Sequence, residues 1–90
     1  MKVLIVEDEV AASQRLAKLL TRVAPDAHIL ESTDSISSTL AWLKANPKPD
    51  LIFMDIHLAD GASFDIFEQF EVTSPVIFTT AYDQYAIQAF

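Results

Sequence analysis

The sequence predicts an α/β domain built on a doubly wound parallel sheet. Short apolar runs alternate four times with segments of helical periodicity, and no repeat, low-complexity tract or linker interrupts them. Strands that alternate with helices form a parallel sheet covered on both faces, and right-handed crossovers leave few topologies open. We therefore expect four strands in the order 2-1-3-4.

Two strand–helix units are predicted in the first half of the chain. Residues 3–6 form an apolar run typical of a buried strand, and residues 10–23 carry apolar side chains at helical spacing. A weaker strand is predicted over residues 27–30 and a second helix over residues 35–45. A proline follows each helix and marks its end.

The second half of the chain continues this alternation. Residues 50–55 form the clearest strand, and Ser63 is placed to cap a short helix. A fourth strand is predicted over residues 76–79, and residues 82–90 have a helical pattern. The aromatic side chains expected in the core are Trp42, Phe64, Phe67 and Phe70.

Composition limits the partners of this segment. The formal net charge is −7, from 13 acidic and 6 basic residues, so binding of nucleic acid or anionic membrane is not expected. No apolar run approaches the length of a transmembrane helix, and the chain has no cysteine. These features fit a cytoplasmic protein. Three basic residues on one face of the first helix are expected in solvent: Arg15, Lys18 and Arg22.

Acidic and hydroxyl side chains follow three of the four predicted strands. Residues 7–9 read Glu-Asp-Glu after the first strand, Asp55 ends the third, and Thr79 and Thr80 end the fourth. Ligands of doubly wound sheets bind at the carboxyl ends of the strands, so these positions are expected to converge. Clustered carboxylates repel each other unless a cation lies between them, and oxygen ligands favour Mg2+ or Ca2+. An aspartate can also accept a phosphoryl group.

Each of these residues also has an ordinary structural interpretation. Glu9 can cap the following helix, Asp55 can be a loop residue, and the threonines can simply favour a strand. The expected convergence of all three motifs at one edge of the sheet favours a functional site.

The three motifs, in this order, resemble the receiver domain of bacterial two-component response regulators. They are residues 4–9 (Leu-Ile-Val-Glu-Asp-Glu), 50–55 (Asp-Leu-Ile-Phe-Met-Asp) and 75–81 (Pro-Val-Ile-Phe-Thr-Thr-Ala). The intervals between them match the family, and the resemblance covers all 90 residues and implies a flavodoxin-like fold. Residues 80–86 are similar to regulators whose output is a LytTR-type DNA-binding domain.

The resemblance implies a site for phosphoryl transfer. Asp55 matches the residue that accepts a phosphoryl group from a sensor histidine kinase. Asp8 matches the direct Mg2+ ligand, beside Asp55 and the backbone carbonyl of His57, and Glu7 matches a companion that acts through water. The chain would therefore be a phosphoacceptor rather than an enzyme.

Further matched positions concern the switch between the two phosphorylation states. Thr80 matches the hydroxyl that moves toward the phosphoryl group, with the N–H of Ala81 beside it. His57 and Tyr82 match the two variable positions that influence how fast the acyl phosphate hydrolyses.

The sequence departs from the family's pattern in three places. Glu7 stands where aspartate is commoner. Ala59 and Ser63 replace the usual proline and glycine, with Gly61 between them, so this loop is expected to differ in shape. The family's fifth strand, fifth helix and conserved lysine are missing, so residues 1–90 are interpreted as a receiver domain incomplete at its C-terminus, without its output domain. Because the fourth strand would then be an edge, the fragment is expected to dimerise through this strand, the uncovered sheet face or the fourth helix.

Two other functions remain open at this point. A degenerate receiver would act only through contacts with other proteins. A phosphatase of the haloacid-dehalogenase type also places a nucleophilic aspartate after a strand. His57, however, stands where that family has its second aspartate.

Overall fold

Strands and helices alternate along residues 1–79, the part of the chain that this computed structural model describes. In chain order the elements are β1 (Lys2–Val6), α1 (Val10–Val23), β2 (His28–Thr33), α2 (Ile36–Ala45), β3 (Leu51–Met54), β4 (His57–Leu58), β5 (Gly61–Ala62), α3 (Phe64–Gln69) and β6 (Val76–Phe78). The helix predicted over residues 82–90 lies outside the described residues. Within them, no helix has the length and apolar character needed to cross a bilayer.

The main sheet contains four parallel strands in the order β2-β1-β3-β6. This confirms the predicted order 2-1-3-4, with β6 as the fourth predicted strand. β1 lies between β2 and β3, and its last residue, Val6, pairs with Thr33 on one side and Met54 on the other. The segments that follow these three strands therefore leave the sheet at the same edge.

The central strand β1 is buried on both faces, as its continuous apolar run predicts. Residues 3–6 are at most 1% exposed. One face of the sheet packs against α2 and α3, and the side chains there form one core cluster: Leu4, Val6, Ile36, Leu40, Leu43, Ile52, Met54, Leu58 and Ile66.

β2 is longer than the strand predicted over residues 27–30. It continues through Glu31, Ser32 and Thr33 because these residues pair with β1. β2 is an edge of the main sheet, so Glu31 and Ser32 keep their side chains in solvent while their backbone joins the ladder. The apolar signal stops at Leu30, which is why the sequence did not indicate the extension.

The prediction that Phe64, Phe67 and Phe70 all lie in the core is wrong for the first two. Ile66 is fully buried and sets the inward direction of the helix. At about 100° per residue, Phe64 and Phe67 lie off that direction, and they are 49% and 38% exposed. Phe70 does pack against the core cluster. The rings of Phe64 and Phe67 instead make edge contacts with Phe78, at centroid distances of 5.5 and 6.3 Å.

Three further predictions concern individual side chains of the helices. Trp42 packs against the core cluster, as expected. The three basic side chains of α1 are exposed, also as expected: Arg15, Lys18 and Arg22. The prediction that Ser63 caps α3 is wrong. Its own backbone is already helical (φ −62°, ψ −19°), whereas a capping residue is extended, and its side chain makes no cap. The Ser63 hydroxyl is buried without a hydrogen-bond partner among residues 1–79.

We expect Ile66→Ala to lower the free energy of unfolding by about 2–5 kcal/mol, because it leaves a cavity under α3. The control is Phe64→Ala, which should lower it by only about 1 kcal/mol through loss of the ring contact with Phe78. Urea denaturation of the two variants measures both values. Equal losses would contradict the assignment of Ile66 as the core anchor of α3.

Candidate functional site

Three backbone hydrogen bonds bring the ends of the central strands together. The N–H of Glu7 donates to the last carbonyl of β2, that of Asp55 to the last carbonyl of β1, and that of Thr79 to the last carbonyl of β3, each at 2.9 Å. Each bond extends the parallel ladder by one residue. The predicted convergence of these three positions at the carboxyl edge of the sheet is therefore present in the structure.

Glu7, Asp8 and Asp55 form a cluster of carboxylates at this edge. One carboxylate oxygen of each residue lies within 4.8 Å of the others. Glu7 and Asp55 are half-buried, and Asp8 is exposed. A set of oxygen ligands at this separation fits a hard divalent cation such as Mg2+, which binds one or two carboxylates and retains water molecules.

The environment of Glu7 raises the pKa of its carboxyl from 4.5 to about 7. Burial is the largest cause, and the charge of Asp55 and side-chain hydrogen bonds with Asp55 and Asp8 act in the same direction. The N–H of Glu9, which donates to Glu7 Oε2 at 3.1 Å, opposes them. Without a cation, the cluster therefore retains a proton up to neutral pH.

Of the other predicted site residues, His57 lies in the described part of the chain and three lie outside it. His57 lies in β4, two residues after Asp55, and is exposed. Thr80, Ala81 and Tyr82 lie outside the described residues, so their roles at the switch stay predictions.

The loop after Asp55 forms a small hairpin that the sequence analysis did not predict. β4 and β5 are antiparallel, with His57 opposite Ala62 and Leu58 opposite Gly61. Gly61 has a φ of 141°, a conformation that favours glycine. An aspartate followed by this glycine is a known hairpin signal, so the turn could have been found from the sequence.

Asp60, at the turn of this hairpin, is a residue that the sequence analysis missed. Its carboxylate accepts hydrogen bonds from the backbone N–H of Ile36 at 2.6 Å and of Ser37 at 3.2 Å, at the start of α2. These hydrogen bonds, chiefly the one from Ile36, lower the pKa of Asp60. Because the donors are 24 and 23 residues away along the chain, no local pattern could have indicated them.

A groove of about 770 Å³ adjoins the carboxylate cluster. Its lining includes Glu7 and Asp8 together with side chains of α1, β2 and α2. Two members of the cluster, Glu7 and Asp8, are therefore open to solvent on this side.

Comparison with known proteins decides the family. The family model described as the response regulator receiver domain matches residues 3–90. The chain belongs to this family. Solved structures agree: the response regulatory domain of protein mrkE from Klebsiella pneumoniae is 36% identical, with a TM-score of 0.78 over 100% of this chain and 75% of that one. The MaeR response regulator has the same fold at 24% identity, with a TM-score of 0.80 over 98% of this chain and 73% of that one.

The curated relatives are longer regulators. The receiver-family chain is 40% identical over 93 aligned positions to the sensory transduction protein LytT of Bacillus anthracis, covering 100% of this chain and 37% of that protein. It is 36% identical to the transcriptional regulatory protein LytR of Staphylococcus aureus (strain N315), again over 100% of this chain and 37% of that protein. The resemblance to receiver domains is confirmed, and the chain spans well under half the length of these relatives.

The raised pKa of Glu7 predicts how stability depends on pH when no divalent cation is present. Between its unfolded pKa of 4.5 and its folded pKa of about 7, the folded state binds more protons than the unfolded state. The free energy of unfolding therefore falls as pH rises through this window. Glu7→Gln removes this contribution, so with EDTA the variant should gain stability relative to the wild type from pH 5 to pH 8. Urea denaturation across this range measures the difference, and a difference that does not change with pH would contradict the raised pKa.

Proposed function

We propose that this receiver domain accepts a phosphoryl group on Asp55 from a sensor histidine kinase, in a reaction that depends on Mg2+. The observation that carries the proposal is the cluster of Glu7, Asp8 and Asp55, whose oxygens lie within 4.8 Å of one another at the carboxyl edge of the sheet. Membership of the receiver family supports Asp55 as the acceptor.

In the proposed reaction, a carboxylate oxygen of Asp55 attacks the phosphorus of a phosphohistidine. The P–N bond breaks as the new P–O bond forms, and the imidazole nitrogen leaves with the electron pair. The product on this chain is an acyl phosphate. The 2.9 Å hydrogen bond from the N–H of Asp55 to β1 holds the backbone of the nucleophile in place.

The ligand set proposed for the cation is Asp8, Asp55 and the backbone carbonyl of His57, with Glu7 acting through water. Three carboxylates and no nitrogen or sulfur donor fit Mg2+. When bound, the ion offsets the mutual repulsion of the carboxylates and stabilises negative charge on the phosphoryl oxygens.

Two further roles are proposed, each for two residues. The hydroxyl of Thr80 and the N–H of Ala81 would donate to the phosphoryl oxygens. His57 and Tyr82 would control the access of water to the acyl phosphate and so its lifetime. These roles rest on the positions that the residues hold in the family's motifs.

The wider context is also proposed. The names of the LytT and LytR relatives support a cytoplasmic regulator with a DNA-binding output domain of the LytTR type, whereas the net charge of −7 argues against nucleic-acid binding by this segment. The 90-residue chain by itself would dimerise through β6, the uncovered face of the sheet or the helix predicted over residues 82–90. The exposure of Ile77 and Phe78, 48% and 41%, supports the first of these.

We expect Mg2+ to bind the wild type and Asp8→Asn to lose this binding, because the variant lacks a direct carboxylate ligand. Isothermal titration measures both. Glu9→Gln is the matched control, since it removes the same charge from the neighbouring residue outside the cluster. Equal affinities of the wild type and Asp8→Asn would overturn the proposed ligand set.

Phosphorylation by acetyl phosphate with Mg2+ should add one phosphoryl group at Asp55, detected by mass spectrometry. Asp55→Asn should abolish the labelling, and Asp34→Asn, which changes a carboxylate of the adjoining groove, should retain it. Labelling should be slow in this chain and faster in a longer form with the family's lysine, because that charge stabilises the transferred group. Labelling that survives Asp55→Asn would disprove the acceptor, whereas Mg2+ binding without any labelling would favour the degenerate receiver.

A further inference from the structure

The first turn of α2 is held by two separate sets of hydrogen bonds. A helix begins with four backbone N–H groups that have no partner inside the helix. In α2, Ser35 Oγ accepts from the N–H of Ser38 at 3.0 Å, and Ser38 Oγ accepts from the N–H of Ser35 at 3.1 Å. The remaining two, on Ile36 and Ser37, donate to Asp60. Half of the hydrogen bonds that start this helix therefore come from the hairpin that follows the phosphoacceptor.

Three residues of the hairpin lie against α2. Leu58 is 7% exposed and belongs to the same core cluster as Ile36. The carboxylate of Asp60 accepts hydrogen bonds from the N–H groups of Ile36 and Ser37. A Cβ on Gly61 would lie 3.2 Å from Ile36 Cδ1, so the backbone of β5 passes close to the same side chain. The turn of the hairpin is thus fixed to the start of α2.

The other end of the hairpin is the proposed Mg2+ site. His57 pairs with Ala62 across the hairpin, and the N–H of Ser63 donates to the carbonyl of Ile56 at 2.8 Å, immediately after Asp55. Pairing at both positions of so short a hairpin restrains its two strands relative to each other. A tilt of its turn would therefore displace the carbonyl of His57.

We propose that Asp60 is a positioning residue for the metal site: by binding the first turn of α2, it holds the hairpin so that the carbonyl of His57 points at the cation. This inference rests on the proposed function. It also implies that binding of the cation affects the first turn of α2, because the same carboxylate joins the hairpin to the helix.

A purely structural role for Asp60 makes a different prediction. As a simple cap for α2, it would change the stability of the fold and leave the affinity of the folded protein for Mg2+ unchanged. A positioning role lowers that affinity and links the amides of Ile36 and Ser37 to the bound ion.

The experiment measures Mg2+ affinity by isothermal titration in the 90-residue chain and in two variants. In Asp60→Asn, the amide group has one acceptor oxygen in place of two, so one helix N–H loses its partner. Asp65→Asn is the control, because it removes an equal charge from an exposed residue at the start of α3. The dissociation constant should rise about 10-fold in Asp60→Asn, the low end of the range for residues that orient metal ligands. It should change less than about twofold in Asp65→Asn, since an exposed charge is screened by solvent.

A second measurement uses the wild type alone and so does not depend on the folding of a variant. The amide NMR signals of Ile36 and Ser37 should shift as Mg2+ is added, with the same midpoint as the titration. Signals that do not move while the ion binds would overturn the inference, as would unchanged affinity in Asp60→Asn or equal losses in both variants. Absence of Mg2+ binding by the wild type would instead overturn the metal site itself, and the role of Asp60 with it.

Discussion

The pairing of β1 with β3 is the interaction on which the acidic site depends. Val6 lies opposite Met54, and the ladder continues by one hydrogen bond to the N–H of Asp55. A slip of one residue would turn the buried side chains of a strand to the opposite face of the sheet. In β3 only Ile52 and Met54 are fully buried, so their burial favours this register. Apolar packing several residues away thus holds carboxylates together that would otherwise repel each other.

This arrangement gives Glu7 two opposed requirements. Burial and the neighbouring acids favour its protonated form, whereas the proposed contact with a cation through water would favour its charged form. Asp8, the carboxylate proposed to bind the cation directly, is exposed and lines the groove. A cation bound there, as proposed, would therefore compete with the proton that burial favours on Glu7.

Much of the fold could be predicted because its strongest signals are local. The strand order could be predicted from the apolar runs of β1 and β3 and from the alternation of strands with helices. The proximity of Glu7 and Asp55 could be predicted because each follows the end of a strand. Tertiary effects were not accessible in this way. The backbone pairing of Glu31 and Ser32, the turn of Phe64 out of the core and the reach of Asp60 to α2 each depend on a partner distant in sequence. The raised pKa of Glu7 likewise depends on the burial of its carboxyl, which cannot be inferred from its position after an apolar run.

The hairpin after Asp55 depends on one residue with an unusual backbone conformation. The single glycine of the chain, Gly61, has the only positive φ among the described residues, and it lies where β5 passes Ile36. Other turns of residues 1–79 use ordinary backbone conformations. A substitution of Gly61 would both strain the backbone and crowd the side chain of Ile36 in α2.

Trp42 gives the molecule an internal optical reporter. It is the only tryptophan of the chain, it packs against the core cluster, and it lines the same groove as Glu7 and Asp8. Indole emission depends on the polarity and the charges around the ring, so a single fluorophore faces both the packed interior and the acidic opening. Changes in the occupancy of the groove and loss of the core should consequently be visible as two distinct spectral signatures of one side chain, without any added label.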